Sequence, residues 1–217
     1  MNLVSEGLRL AGVVIAAGRA QRMGALKQTL PWPPHTADAS TIVSCAFDAI
    51  APFCAHMFVV VGRDAEAVLE ALRERTFTRE DADSDAEMFA SIRAGLHAVI
   101  AQSNASDVNA VLLQPGDHPG VARSTVHAMI AAQRQHPGVA IMPEYRRRGG
   151  HPALIPHSLI PHLLAFAGAG GLRQFWLEHP DIVLRLPVDD PSSVIDLDTM
   201  DDYQAAWRSL HASCTKL

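Results

Sequence analysis

Five short apolar runs, at residues 12–16, 57–61, 110–113, 139–142 and 182–187, are separated by longer amphipathic stretches. This alternation restricts the fold more than any other feature of the chain. Strands apolar at nearly every position must be covered on both faces, and a parallel sheet between two layers of helices covers them. The expected class is therefore α/β, with a three-layer α/β/α arrangement around a mostly parallel sheet. Helices are expected at 65–75, 90–100, 124–135, 159–166, 171–178 and 201–211. One more follows Ser40, which can cap a helix whose Ile42, Val43, Ala46, Phe47 and Ile50 share a face. Residues 77–87 are charged and aperiodic, and read as a mobile surface loop. The prolines at 33 and 34 make residues 31–40 a second loop. At 217 residues the chain fits one domain, 1–217, with no internal repeat.

With 18 Lys and Arg against 23 Asp and Glu, the net charge is −5, which provides no broad basic face for nucleic acid. Anion binding must then be local. The three cysteines form no CxxC pair and no even framework, as expected of a reducing compartment. Residues 1–9 carry both charge signs and lack the basic start and apolar core of a signal peptide. No stretch reaches the roughly 18 apolar residues of a membrane span. These features together predict a cytoplasmic protein without a membrane partner.

After the first apolar run comes a small-residue loop, Ala16-Ala17-Gly18, with Arg22 and Lys27 at fixed offsets beyond it. Small residues let backbone N–H groups approach an anion, and the two cations suit a polyphosphate. On the bland reading they are two exposed charges on a turn. Neither the Gly-Lys-Ser/Thr of a Walker A loop nor the GxGxxG of a dinucleotide fold is present. Ligands of open α/β sheets bind beyond the strands' C-terminal ends. Asp117, in Pro115-Gly116-Asp117-His118-Pro119, follows one strand, and Gly149-Gly150-His151-Pro152 follows another. Asp117 suits Mg²⁺, which takes one or two carboxylates plus phosphate oxygens, and equally suits a turn in which it bonds its own backbone.

The pattern AAGxxxRMGxxK, with Gly116-Asp117-His118-Pro119, Gly149-Gly150-His151-Pro152 and the run Val194 to Tyr203 in the same order, resembles the molybdenum-cofactor nucleotidyltransferases. Within them it is closer to the cytidylyltransferase branch. The resemblance implies a Rossmann-like nucleotidyltransferase fold and transfer of CMP from CTP to the phosphate of molybdopterin, with release of pyrophosphate. It implies catalytic roles for Arg22, Lys27 and Asp117, and Mg²⁺ held by Asp117 and Asp198. The nucleotide would be bound by Ala16, Ala17, Gly18, Arg22, Lys27, Ser91 and Gly95, and the acceptor by Gly150, His151 and Pro152. A transient contact with a molybdoenzyme or its chaperone is implied as well. Arg19 is read as surface. The guanylyl branch has Ala-Gly-Gly where this chain has Ala16-Ala17-Gly18, so the Ala17 methyl is expected to crowd a purine.

Several residues keep two readings. His118 and His151 titrate near neutrality, but a phosphate acceptor is already a nucleophile, so neither is required as a general base. His151 shapes the acceptor pocket or caps a turn. Asp198 is a metal ligand or a helix cap, Asp196 is the weaker candidate, and Asp201 and Asp202 are read as caps. Glu87 and Phe89 replace glycines of the resembled family, and residues 32–39 replace a short turn. The alternatives are a GTP-using enzyme or one with a sugar- or alcohol-phosphate acceptor, and a non-catalytic nucleotide- or cofactor-binding protein.

Overall fold

The computed structural model describes residues 8–18, 26–34, 40–83, 87–102, 108–195 and 197–214. Arg22, Arg19 and Asp196 lie outside them. Strands β1 (Leu10–Ala16), β2 (His56–Val61), β3 (Thr78–Asp81) and β4 (Ala110–Pro115) run parallel, with β1 central between β2 and β4. β5 (Ala140–Tyr145) forms a hairpin with β6 (Arg148–Gly149), and β7 (Ala153–Pro156) lies antiparallel between β4 and β5. β8 (Val183–Pro187) pairs parallel with β5, and the strand order is β3-β2-β1-β4-β7-β5-β6. The inserted β7 leaves β4 and β5 pointing the same way, so the C-terminal ends of β1, β4, β5 and β8 share one sheet edge.

Helices α1 (Ile42–Ile50), α2 (Ala65–Ala71) and α4 (Arg123–Gln135) cover one face. Their Val43, Phe47, Val68 and Met129 pack with Leu10, Val14, Val59 and Leu112 of the sheet. Helices α3 (Met88–Gln102), α5 (Ile160–Ala165) and α6 (Gly171–Glu178) cover the other, where Ile92, Leu96, Leu163 and Phe175 meet Val13, Ile15, Val60 and Val111. Successive residues of β1 thus serve opposite cores, which is why every one of its positions is buried. A third cluster joins Trp32 and Ile42 to Leu197 and to Tyr203 of the C-terminal helix α7 (Met200–Cys214).

Three expectations are corrected here. The charged segment at 77–87 contains β3, an edge strand of alternating exposure whose Arg79 pairs with Asp81; one-sided pairing tolerates such charge. The cap of α1 is Thr41, not Ser40: the Thr41 hydroxyl accepts from the Ser44 N–H at 3.2 Å, and the Ser44 hydroxyl accepts from the Thr41 N–H at 2.7 Å. Gly95, expected beside the nucleotide base, lies instead between α3 and the sheet. A Cβ added there would stand 2.6 Å from Val13 Cγ1 and 2.9 Å from Val60 Cγ2, so the glycine sets how closely α3 can lie on β1 and β2.

That placement makes Gly95→Val a test of packing. Overfilling the contact should lower the unfolding free energy by about 2 kcal/mol or more in urea denaturation, with nucleotide affinity per folded molecule unchanged. A variant of normal stability that no longer bound nucleotide would return Gly95 to the base.

Candidate active site

Lys27 opens a single 3₁₀ turn, Lys27–Thr29, and is only 7% exposed. A buried ammonium needs anionic partners, and it has two. Its Nζ donates to Asp117 Oδ2 at 3.2 Å and to Asp198 Oδ1 at 3.4 Å. Both carboxylates are about half exposed, at 46% and 56% of their side chains, so the group opens to solvent on the carboxylate side. The expectation of an exposed turn lysine is thereby corrected. The contacts are long beside the about 2.7–2.9 Å of a tight charge-assisted bond, which leaves the ammonium able to turn its donors toward another oxyanion.

Each partner is held by its own scaffold. Gly116 brings Asp117 to the strand end: its N–H donates to Ile15 O at 2.8 Å, and an added Cβ would sit 2.9 Å from that same oxygen. Asp198 is fixed from the C-terminal side, where Leu197 is buried beside Trp32. The ring of Trp32 stands 5.7 Å from Tyr203 and 6.2 Å from Trp207, and the Tyr203 hydroxyl donates to Pro31 O. The cap of α7 falls to Thr199 and Asp202, whose side chains bond each other's backbone N–H groups. Asp198, one residue before this pair, faces Lys27.

Behind Asp117 lies a buried polar layer. Gln114 Nε2 donates to His118 O at 3.0 Å and meets His118 Nδ1 at 3.1 Å, which makes Nδ1 the acceptor of a neutral ring. The rings of His118 and His151 meet edge to face, with centroids 5.4 Å apart. Burial and the neighbouring His151 lower the pKa of His118 to about 4; burial lowers that of His151 too, with Asp117 opposing. Neither ring is poised as a base at neutral pH. The sequence reading missed Gln114 and Asp190. Asp190 is 5% exposed and accepts from the Ala122 N–H at 2.9 Å and the Thr125 hydroxyl at 2.8 Å. It also accepts from the Ser192 N–H at 3.0 Å, locking the chain after Asp117 to the turn before Asp198. The pattern Asp-Pro-Ser-Ser at 190–193 was its available signal, as an Asx turn.

The other expected site residues divide. Ala16 and Ala17 are buried, and Ala17 belongs to the cluster containing Phe89 and Ile15, so its methyl packs inward. Gly18 is exposed, and a Cβ there would meet no described protein atom within 4 Å. Ser91 is buried on α3. Gly150 and Pro152 are buried, and the N–H groups of Gly150 and His151 are spent on Pro143 O and Ser193 O, both at 2.8 Å. Of the three expected acceptor contacts, only His151 retains exposed surface.

For a divalent cation the described donors fit in part. Asp117 and Asp198 are hard oxygen ligands converging on one point, yet no group of three or more His, Cys, Asp or Glu among the described residues could hold a metal alone. Substrate oxygens would have to complete the shell, which is the habit of Mg²⁺ with phosphates. No helix of the described residues is long and apolar enough to cross a membrane.

The ligand edge of the sheet thus carries a lysine between two carboxylates. The chain belongs to the MobA-like NTP transferase domain family, whose model matches residues 12–183. It is 22% identical to the molybdenum cofactor cytidylyltransferase of Escherichia coli K12 over 198 residues, 89% of this chain and 93% of that protein. Among solved structures it resembles Mycobacterium tuberculosis Rv0371c in complex with manganese, at 25% identity and TM-score 0.73, covering 93% of this chain and 99% of that one. A nucleotidyl transferase from Methanothermobacter shares the fold at 20% identity and TM-score 0.74, covering 95% and 100%. The protein is a nucleotidyltransferase.

Two outcomes follow from the geometry. Lys27→Met leaves two carboxylates facing without a cation, so stability in the presence of chelator should fall by about 1 kcal/mol, the scale of a screened ion pair. Millimolar Mg²⁺ should restore part of it in thermal melts, and a variant as stable as wild type in chelator would show that the pair contributes nothing to the fold. His118 titrates in the unfolded chain near 6.5 but in the fold near 4. Between those values the unfolded state binds the extra proton, so stability should decline as pH falls from about 6.5 to about 4, by on the order of 2–3 kcal/mol. His118→Gln should flatten that limb in denaturation curves taken at several pH values. An unchanged slope would remove His118 as its source.

Proposed function

We propose that this nucleotidyltransferase uses Mg²⁺ and CTP and transfers CMP to the terminal phosphate of molybdopterin or a closely similar acceptor, releasing pyrophosphate. The observation that carries the reading is the meeting of Lys27, Asp117 and Asp198, from positions 90 and 171 residues apart, at one point on the ligand edge of the sheet. Lys27, already desolvated, neutralises charge on the triphosphate as the acceptor oxygen approaches the α-phosphorus. Asp117 and Asp198 would hold Mg²⁺, which would supply neutralisation of the phosphate charge. The resemblance makes Arg22 a second cation for the triphosphate. Gly18 gives the triphosphate close access to the backbone, which accounts for a small residue where the described protein has room for a side chain. His151 lines the acceptor side beside Asp117.

Support for CTP comes from Ala16-Ala17-Gly18 and from the Escherichia coli relative. Since the Ala17 methyl faces the core, selection acts through where the packed loop places its backbone rather than through a methyl against the ring. The expected acceptor rests on that relative's name and on the motif resemblance.

Pyrophosphate release measured with each of four nucleoside triphosphates, with and without molybdopterin, tests the proposal. Release should require CTP, Mg²⁺ and molybdopterin together. Asp117→Asn keeps the shape and removes the charge, and should lower turnover by about 10²-fold at saturating Mg²⁺ with the fold intact. Near-normal turnover in that variant would take the metal away from Asp117, and a GTP preference in the wild type would overturn the choice of base.

A further inference from the structure

The turn between β5 and β6 is made of Arg146 and Arg147, at φ 50° and 67°. Tyr145 and Arg148 pair across it, so two residues alone reverse the chain. A two-residue hairpin turn with both central φ angles positive suits Asn-Gly or Asp-Gly and burdens side chains with a Cβ. Among the described residues these are the only non-glycine positions in the left-handed region. The chain therefore carries two arginines where the backbone would be more stable without them, and local strain of this kind points to function.

The surroundings reinforce the charge. Arg148 is exposed on the adjoining strand, and the guanidinium of Arg185 from β8 lies where a Cβ on Gly149 would stand, so the missing side chain makes room for a fourth cation. The Arg146 guanidinium sits 5.1 Å from the centre of the Tyr145 ring, which supports it without neutralising it. Arg73, Arg75 and Arg79 each pair with a carboxylate, whereas Arg146, Arg147, Arg148 and Arg185, like the scattered Arg93, Arg123, Arg134 and Arg173, have no carboxylate partner among the described residues. In a chain of net charge −5, four uncompensated arginines are gathered at one tip. The tip lies on the ligand edge of the sheet, and Gly149 and Gly150 connect it to His151 beside Asp117.

We propose that the β5–β6 tip is a docking surface for an acidic patch on a protein partner, which it would bring over the acceptor side of the site. The inference rests on the hairpin itself and does not depend on which nucleotide or acceptor the enzyme uses. A protruding turn has no walls to enclose a small anion. A nucleic acid would need a wide basic face and many phosphate contacts, which the acidic remainder of the surface denies. A single cluster of opposite sign on an acidic protein is what steers and orients a complementary acidic protein surface.

The test uses the full chain, poly-L-glutamate as the acidic polypeptide and a DNA duplex of matched charge, with binding followed by fluorescence anisotropy at 50 and 200 mM salt. The double variant Arg146→Asn/Arg147→Gly supplies the residues the turn prefers, so it should melt no lower than wild type and bind Mg²⁺–CTP unchanged. Wild type should bind poly-L-glutamate with salt-sensitive affinity, and the variant should bind it about tenfold more weakly, on the scale of losing two exposed ion pairs. Equal poly-L-glutamate binding by the two proteins, or none by wild type at 50 mM salt, overturns the proposal. Tighter wild-type binding to the duplex than to the polypeptide, lost in the double variant, overturns it in favour of nucleic acid.

Discussion

A buried ammonium between two carboxylates organises this molecule's chemistry. Desolvating Lys27 is costly without anions beside it, and setting Asp117 and Asp198 close together is costly without a cation between them. Each half of the arrangement makes the other tolerable. Because the three residues come from the first loop, the fourth strand and the approach to the last helix, their meeting depends on nearly the whole fold being in register. The close seat of Gly116 on β1 fixes one carboxylate, and the Trp32–Tyr203 contact fixes the other. A nucleotide entering this site brings new oxyanions for the ammonium, and a divalent cation can take its place between the carboxylates. The same balance can then be kept in two ways, with charge redistributed and little backbone movement required.

The strands that were legible in the sequence are those that leave an unbroken apolar run: β1, β2 and β4, buried at nearly every position, and also β5 and the half-exposed β8, each with ends displaced by a few residues. β3 was not, because an edge strand alternates exposure and its Arg79, Glu80 and Asp81 look like a solvated loop. β7 was hidden by its brevity: four buried residues, Ala153–Pro156, directly after Pro152 give periodicity nothing to measure. In the site, Lys27 and Asp117 could be read because charged groups beside a small-residue turn have few other reasons to recur at a sheet edge. Gly95 could not, since a glycine within a helix reports that something lies close and not what lies close; here it is Val13 and Val60. For Gly150 and Pro152 the motif was visible, but the sequence does not show that Pro143 O and Ser193 O take the N–H groups of Gly150 and His151.

The polar layer formed by Gln114, His118, His151 and Asp190 explains how a carboxylate can be both half exposed and well placed. Asp117 has solvent on one side, so its position must come from behind. His118 follows it directly and is held by Gln114, one strand residue from the end of β4. Asp190 then ties the next segment, through Ala122 and Thr125, to the turn whose Ser193 carbonyl receives the His151 N–H. Buried networks of this kind hold a geometry only while their members stay in one protonation state. The neutral histidines and the pH dependence of the fold are therefore consequences of positioning the carboxylate, and neither ring needs to handle a proton during transfer.

In the proposed reading, charge neutralisation and selection of partners occupy different parts of the ligand edge. The groups suited to the triphosphate sit on rigid ground, at strand ends and in the buried turn at Lys27, where small displacements would change electrostatics steeply. The arginine turn after β5 is exposed, whereas Trp32 and Phe89, where the sequence departs from the resembled pattern, are packed into the cores beside the site. Loops beyond a sheet can vary without disturbing the core that positions the chemistry. The arginine turn shows the principle within a single hairpin. Its pairing of Glu144 with Gly149 and of Tyr145 with Arg148 keeps the strands in register. With register secured by the flanking pairs, the two residues at the apex can accept an unfavourable backbone conformation, and their identity is left to whatever meets them from outside.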